Sequence, residues 1–297
     1  MTGTLQSWLL AVRPKTLPAG AVPVLVASAV AYADGCFSLS AALVALFCAL
    51  GIQVATNFIN EIYDFRKGAD TSERLGPTRT VAAGLITERA MTRAAILLLA
   101  VVFVAGLYLV WLGGWPILLI GLFSILFAWA YTGGPFPIAY SGLGDIFVFI
   151  FFGLVAVGGT YYVMAGTVTF PLLTAAVAPG VFSVTILLCN NIRDIATDRQ
   201  VGKMTLPARI GGGNARQLYA GLTVVAYFVP LWVWMTGYSP LVLLSWVSLP
   251  LAVLETRRLF TSEGRDLNLV LAGTGRVMTL HGILFSAGLF FSTYSAM

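Results

Sequence analysis

Apolar residues fill this chain in long runs, and polar residues gather in the short segments between them. Nine runs are long enough for membrane-spanning helices, at about 17–33, 39–60, 94–113, 115–131, 145–165, 170–190, 215–236, 240–256 and 278–296. The loops between them leave no space for a separate soluble domain. Residues 1–297 therefore read as one membrane domain, an all-α polytopic bundle. The first run contains Pro18 and Pro23, and no small-residue cleavage site precedes the next run, so it does not read as a removable signal peptide.

Composition agrees with the pattern. Apolar residues make up 59% of the chain and charged residues 10%, whereas a soluble domain carries roughly 25% charged residues. A soluble fold of this length could not hide so much apolar surface, so the bilayer is the natural solvent.

The charges are unevenly placed. All 17 Lys and Arg residues fall in four segments. Arg13 and Lys15 precede the first run. Arg66 to Arg93 lie between the second and third, Arg193 to Arg216 between the sixth and seventh, and Arg257 to Arg276 between the eighth and ninth. Nine crossings put all four segments on one side, which the positive-inside rule makes cytoplasmic. The opposite loops carry only Asp34. The expectation is a multi-pass protein of the cell (inner) membrane, N-terminus cytoplasmic and C-terminus external.

Two polar stripes interrupt the apolar pattern. Gln53, Asn57, Asn60, Glu61 and Asp64 lie at helical spacing at the end of the second run, with Asp70 following Lys67 and Gly68. Asn190, Asp194 and Asp198 share a face at the end of the sixth, with Asn191 and Arg193 beside them and Gly202 and Lys203 following. Charged groups inside a span are costly and need partners. Carboxylates and amides are hard oxygen ligands, suited to Mg²⁺. Cys36, Cys48, Cys189 and His281 are too scattered to offer a softer site. One stripe alone could be a capped helix end. Two, at matching ends of runs four apart, point to metal bridging and to an internal duplication with motifs at 57–70 and 190–203.

Facing acidic stripes repel each other unless divalent ions bridge them, and a diphosphate would complete those ions' coordination. Arg79, Arg193 and Lys203 are near enough in sequence to contact phosphate. An apolar chain attached to that diphosphate could lie among the spans.

Asn60-Glu61-Ile62-Tyr63-Asp64 and Asp194-Ile195-Ala196-Thr197-Asp198 resemble the two Asp-rich motifs of the UbiA superfamily of intramembrane prenyltransferases. Arg13 to Pro18, Asp64 to Asp70, Gly76-Pro77-Thr78-Arg79, Gly84 to Thr87, Tyr140 to Asp145, and Asn190 to Leu206 resemble its 1,4-dihydroxy-2-naphthoate polyprenyltransferase branch, which serves menaquinone synthesis. Glu61 stands where the family usually has Asp. Asp70 stands two residues beyond the usual third Asp, as in that branch.

The resemblance implies nine helices around a central cavity, with a long isoprenoid tail entering from the lipid side. It implies transfer of a polyprenyl group from polyprenyl diphosphate to 1,4-dihydroxy-2-naphthoate, with loss of diphosphate and CO₂, giving demethylmenaquinol. Asp64, Asp194 and Asp198 are then the expected catalytic Mg²⁺ ligands, with Glu61 and Asp70 as further metal candidates. Asn57, Asn60 and Asn191 would support them. Arg79, Arg193 and Lys203 would bind phosphate, and Lys15 reads equally as a partner of the diphosphate or the naphthoate carboxylate or as a basic flank of the first run. Tyr131 and Tyr140 would face an allylic cation. Loss of CO₂ restores aromaticity, so no dedicated base is demanded. Asp145 reads equally as functional or as a helix N-terminal carboxylate. His281 reads as packed, and Gly211-Gly212-Gly213 as a helix break.

Other acceptors or a phytyl donor stay open within the family. Outside it stand a secondary transporter, whose site would usually lie nearer the bilayer midplane, and a CDP-alcohol phosphotransferase, whose Asp-Gly and Ala-Arg elements are missing. No nucleic-acid partner is expected.

Overall fold

The computed structural model describes residues 4–70 and 74–292. Among these the regular structure is helical. α1 (Leu5–Val12), a 3₁₀ turn (Pro14–Thr16) and α2 (Leu17–Ala33) form the first crossing, followed by α3 (Leu39–Arg66), α4 (Glu88–Gly113) and α5 (Trp115–Ala130). A fifth crossing joins α6 (Gly144–Val148), a π-helical stretch (Phe149–Val155) and α7 (Ala156–Ala165). Then come α8 (Phe170–Arg193), two short helices α9 (Ile195–Gln200) and α10 (Leu206–Ile210), and α11 (Gly212–Met235). A 3₁₀ stretch (Pro240–Ser248) leads into α12 (Leu249–Thr261), and α13 (Leu267–Phe290) is last.

Local chemistry sets several of these boundaries. Ser38, Thr87 and Thr169 each accept a backbone N–H of the helix they precede, satisfying an amide with no partner within the helix. Pro116, Pro171 and Pro240 sit in first turns, where the missing N–H costs nothing. Gly114 (φ 70°) alone links α4 to α5; a residue with a Cβ would resist that backbone.

Among the described residues eight segments are long and apolar enough to cross a membrane, and α5 is a shorter apolar helix of 16 residues. The chain is a multi-pass membrane protein. The expected fourth run is short but still joins opposite ends of the bundle. Near the C-terminus of α4, Tyr108 bonds Ser40 at the start of α3, at 2.7 Å. After α5, Thr132 meets Asn60 and Lys67 at the far end of α3.

The last crossing differs from expectation. Its helix begins at Leu267 after a 3₁₀ turn (Gly264–Asp266), eleven residues before position 278. Arg276 thus lies inside α13, exposed, where the charge interrupts apolar periodicity without interrupting the helix. The final residues of that expected run, 293–296, lie outside the described residues.

The four basic segments meet at one end. Arg13 lies 3.6 Å from Glu61, Arg193 bonds Asn268, Asn268 bonds the Leu75 carbonyl, and Arg216 bonds the carbonyls of Leu259 and Ser262. At the other end Asp34 accepts hydrogen bonds from Tyr161 and Tyr238. α8 is the most buried of the crossing helices and packs on α11, α13 and the π-helical stretch. Gly153 and Gly180 allow that stretch its close approach: a Cβ on either would stand 3.0 Å from the other's Cα. His281 is enclosed by the rings of Phe182, Tyr227 and Phe285. The break expected in Gly211–Gly213 falls at Gly211 (φ 83°), between α10 and α11.

Candidate functional site

Two turns of the same construction stand at the basic end. After α3, Gly68 (φ 68°) reverses the chain and the Ala69 N–H donates to the Asp64 carbonyl at 2.9 Å. After α9, Gly202 (φ 70°) does the same and the Lys203 N–H donates to the Asp198 carbonyl at 2.7 Å. This left-handed closure satisfies terminal carbonyls and favours glycine. Asp64 and Asp198 thereby take equivalent places, with Asn60 and Asp194 one turn earlier. The first stripe is a single face of α3, burying Gln53, Asn57, Glu61 and Asp64. The second is not one helix: α8 ends at Arg193, Asp194 caps it, and α9 restarts at Ile195.

Each principal carboxylate is matched by a base. Arg79 lies 3.3 Å from Asp64, Arg193 forks onto both oxygens of Asp194, and Lys203 Nζ is 3.4 Å from Asp198. Tyr140 donates to Asp64 at 3.3 Å, and Thr205 to Asp198 at 3.4 Å. Burial pushes the Asp198 carboxyl up to about 6 even though Lys203 pulls it down. Burial also works against the Lys203 ammonium, but Asp64, Asp198 and Asp194 together hold it above its ordinary value.

Two cavities meet here. A small polar one is lined by Asn60, Asp64, Arg79, Asp145, Asn190, Asn191 and Lys203. A large one of about 370 Å³ is lined mainly by apolar side chains from α2, α3, α4, α5, α8 and the fifth crossing. Arg13, Asn60, Tyr131, Leu187 and Asn190 line both, so the two share a wall.

The expected site residues divide on this frame. Asn60, Asp64, Arg79, Asn191, Lys203 and Tyr131 line the polar cavity. Asp194 and Asp198 do not line it and are ion-paired to Arg193 and Lys203. Arg193 bonds Asp194, Asn190 and Asn268, and so anchors a carboxylate rather than facing the cavity. Asn57 lines the large cavity, but its amide donates to the Val12 carbonyl and to Thr16.

Four residues are placed differently from expectation. Glu61 is 1% exposed and accepts from the Thr80 amide, the Thr80 hydroxyl and the Val81 amide, so it anchors a loop. Asp70 pairs with Arg74 and Arg79 and lines neither cavity; burial raises it to about 6. Lys15 is exposed and lines neither. The ring of Tyr140 is covered by Lys67, whose Nζ is 3.9 Å from the centroid, so that face is not free for an allylic cation.

Arg13 is the residue that sequence reasoning passed over. It is the one non-glycine residue of positive φ (54°) among those described, a conformation that costs about 1–3 kcal/mol and concentrates at functional sites. Arg13 lines the wall shared by both cavities. No local signal marked it: Pro14 biases Arg13 towards extended backbone, not towards the left-handed conformation it adopts.

Carboxylate and amide oxygens suit a hard divalent cation. Among the described residues no three carboxylates gather closely enough to hold an ion unaided. The oxygen donors that line the polar cavity, Asn60, Asp64 and Asn191, suit Mg²⁺, which commonly keeps waters and shares phosphate oxygens with its ligand.

The model of the UbiA prenyltransferase family matches residues 21–268. The chain belongs to this family. Similar members include the 1,4-dihydroxy-2-naphthoate octaprenyltransferases of Mycobacterium tuberculosis (36% identical, 97% of this chain and 98% of the relative) and Escherichia coli (35%, 98% and 97%). Among solved structures, a UbiA homolog from Aeropyrum pernix matches with TM-score 0.70 at 19% identity, over 91% of this chain and 96% of that one. A homolog from Archaeoglobus fulgidus bound to GPP and Mg²⁺ matches with TM-score 0.63 at 18% identity, over 95% and 99%. The family fold is thus the one built here.

Proposed function

We propose that this chain transfers a polyprenyl group from polyprenyl diphosphate to 1,4-dihydroxy-2-naphthoate, releasing diphosphate and CO₂ and giving demethylmenaquinol. The observation that carries this reading is the shared wall: a polar, oxygen- and base-lined cavity abuts an apolar cavity of about 370 Å³. That shape suits an amphiphile with an anionic head. The acceptor is supported by the names of the relatives from Mycobacterium tuberculosis and Escherichia coli, which span nearly the whole chain. The cofactor is supported by the Archaeoglobus fulgidus homolog bound to GPP and Mg²⁺.

Asp64, Asp194 and Asp198 are the proposed Mg²⁺ ligands, with Asn60 and Asn191 beside them. Bound Mg²⁺ would neutralise charge that grows on the leaving diphosphate. Arg79 and Lys203 turn from their carboxylates to phosphate oxygens, and Arg193 holds Asp194 in place. Arg13 faces the acceptor's carboxylate from the shared wall. Tyr131 presents its ring to the allylic cation. The basic end is proposed as cytoplasmic, in a cell (inner) membrane, with the C-terminus external. The two glycine-closed turns support an internal duplication within one domain.

The test is an assay in proteoliposomes with Mg²⁺, a prenyl diphosphate and 1,4-dihydroxy-2-naphthoate. Prenylated naphthoquinol is the expected product; its absence defeats the acceptor assignment. Full activity in both Asp64→Ala and Asp194→Ala would defeat the metal assignment.

A further inference from the structure

One buried carboxylate stands apart. Glu61, Asp64, Asp70, Asp194, Asp198 and Glu255 are each ion-paired to an arginine or lysine. Asp145 is 6% exposed, has no such partner among the described residues, and its Oδ1 makes no hydrogen bond. It lines the polar cavity together with Asp64 and Lys203. Beside it, Gly144 leaves room for the Tyr131 hydroxyl, which lies 3.1 Å from where a Cβ would stand. Asp145 lies in the first turn of the fifth crossing, whose N-terminal amides offset part of its charge but leave Oδ1 without a donor. Leaving a buried carboxylate unpaired is costly, and such groups recur at functional sites.

We propose that Asp145 is the proton acceptor for the ring hydroxyl adjacent to the acceptor's carboxylate. This rests on the naphthoate reading above. The ring carbon bearing the carboxylate attacks the first carbon of the prenyl group. The C–O bond to diphosphate breaks, and its electron pair leaves with diphosphate. The hydroxyl proton passes to Asp145 as that C–O becomes a ketone. CO₂ then departs, its C–C pair returns to the ring, and the ketone oxygen takes the proton back from Asp145. No proton is gained or lost overall, so the carboxylate is restored at each turnover. A neutral O–H donor suits a carboxylate kept apart from cations.

The experiment compares wild type and Asp145→Asn in proteoliposomes, with 1,4-dihydroxy-2-naphthoate and with its 1-O-methyl ether. The expected result is a fall in kcat of about 100-fold or more for Asp145→Asn, as for loss of a general base, with the KM for prenyl diphosphate and the Mg²⁺ dependence unchanged. Wild type should lose a similar factor on the methyl ether, and Asp145→Asn should discriminate little between the two acceptors. Activity of Asp145→Asn within threefold of wild type overturns the proposal. So does recovery of its activity at raised Mg²⁺, which would make Asp145 a metal ligand. Undiminished prenylation of the methyl ether by wild type overturns it too, with no variant needed. If wild type makes no prenylated naphthoquinol from the parent acceptor, the functional reading fails instead.

Discussion

Asn57 donates through its amide to the Val12 carbonyl at 2.9 Å, so the first acidic helix holds the turn that carries Arg13. The same amide reaches Thr16 at 3.2 Å, and Thr16 closes the turn onto the Arg13 carbonyl at 3.0 Å. The strained Arg13 backbone is therefore fixed from below. Asn57→Leu keeps the size but removes the donor. It is expected to raise the KM for naphthoate at least tenfold while prenyl diphosphate affinity stays within threefold. An Asn57 that contacted the metal would instead shift the Mg²⁺ requirement and diphosphate affinity, so titrations of all three ligands separate the roles.

Arg193 and Asp194 form a buried, forked pair whose halves depend on each other. Removing one partner of such a pair costs about 3–5 kcal/mol, because a buried charge is left uncompensated. Arg193→Met should thus lower the melting temperature in detergent markedly. The double variant Arg193→Met, Asp194→Asn should regain most of that stability and none of the activity. A single variant as stable as wild type would show that the pair is not the anchor described here.

Much of this was legible in the residues. The apolar runs marked the crossings because every lipid-facing position must be apolar. The Lys and Arg distribution marked one end because those side chains are costly in hydrocarbon. The stripe from Gln53 to Asp64 was readable because α3 is regular across it. The second stripe was less so: the helix breaks at Asp194, and periodicity does not register a cap. Arg13 and Lys15 were indistinguishable as charges, since only the left-handed backbone at Arg13 turns one inward and leaves the other exposed. Glu61 and Asp64 share a helix face, yet Glu61 is drawn to the loop amides at Thr80 and Val81. Contacts between distant segments are not written in local spacing. The start of α13 was hidden by Arg265, Asp266 and Arg276, which read as a loop but lie in or beside helix.

Burial raises Asp198 and Asp70 to about 6 in the ligand-free protein, above the roughly 3.9 of a free aspartate. With the folded value above the unfolded one, the stability these groups contribute is full below about pH 4 and is lost as pH rises towards 6. Metal binding runs the other way, because a ligand carboxylate must be ionised. Mg²⁺ affinity in the presence of a prenyl diphosphate should therefore rise as pH passes through about 6. The Mg²⁺-induced shift in melting temperature should be larger at pH 7.5 than at pH 5.5. An affinity that does not change over that interval would remove Asp198 from the ligand set.

Gly106 on α4 and Gly121 on α5 both line the large apolar cavity, and a Cβ at either would meet no atom within 4 Å. Their neighbours Leu107 and Leu122 line the same cavity and are exposed. A side chain there can project into the space proposed for the prenyl tail without disturbing the fold. Gly121→Phe is expected to lower kcat/KM for a long prenyl diphosphate at least tenfold relative to geranyl diphosphate. Gly51 is the control from the same cluster of helices: a Cβ there would collide with Val102. Gly51→Ala should therefore reduce stability and leave the preference between long and short donors unchanged. If Gly121→Phe slows both donors equally, the tail does not run between α4 and α5, and its path must be sought along the wall formed by α8 and the π-helical stretch.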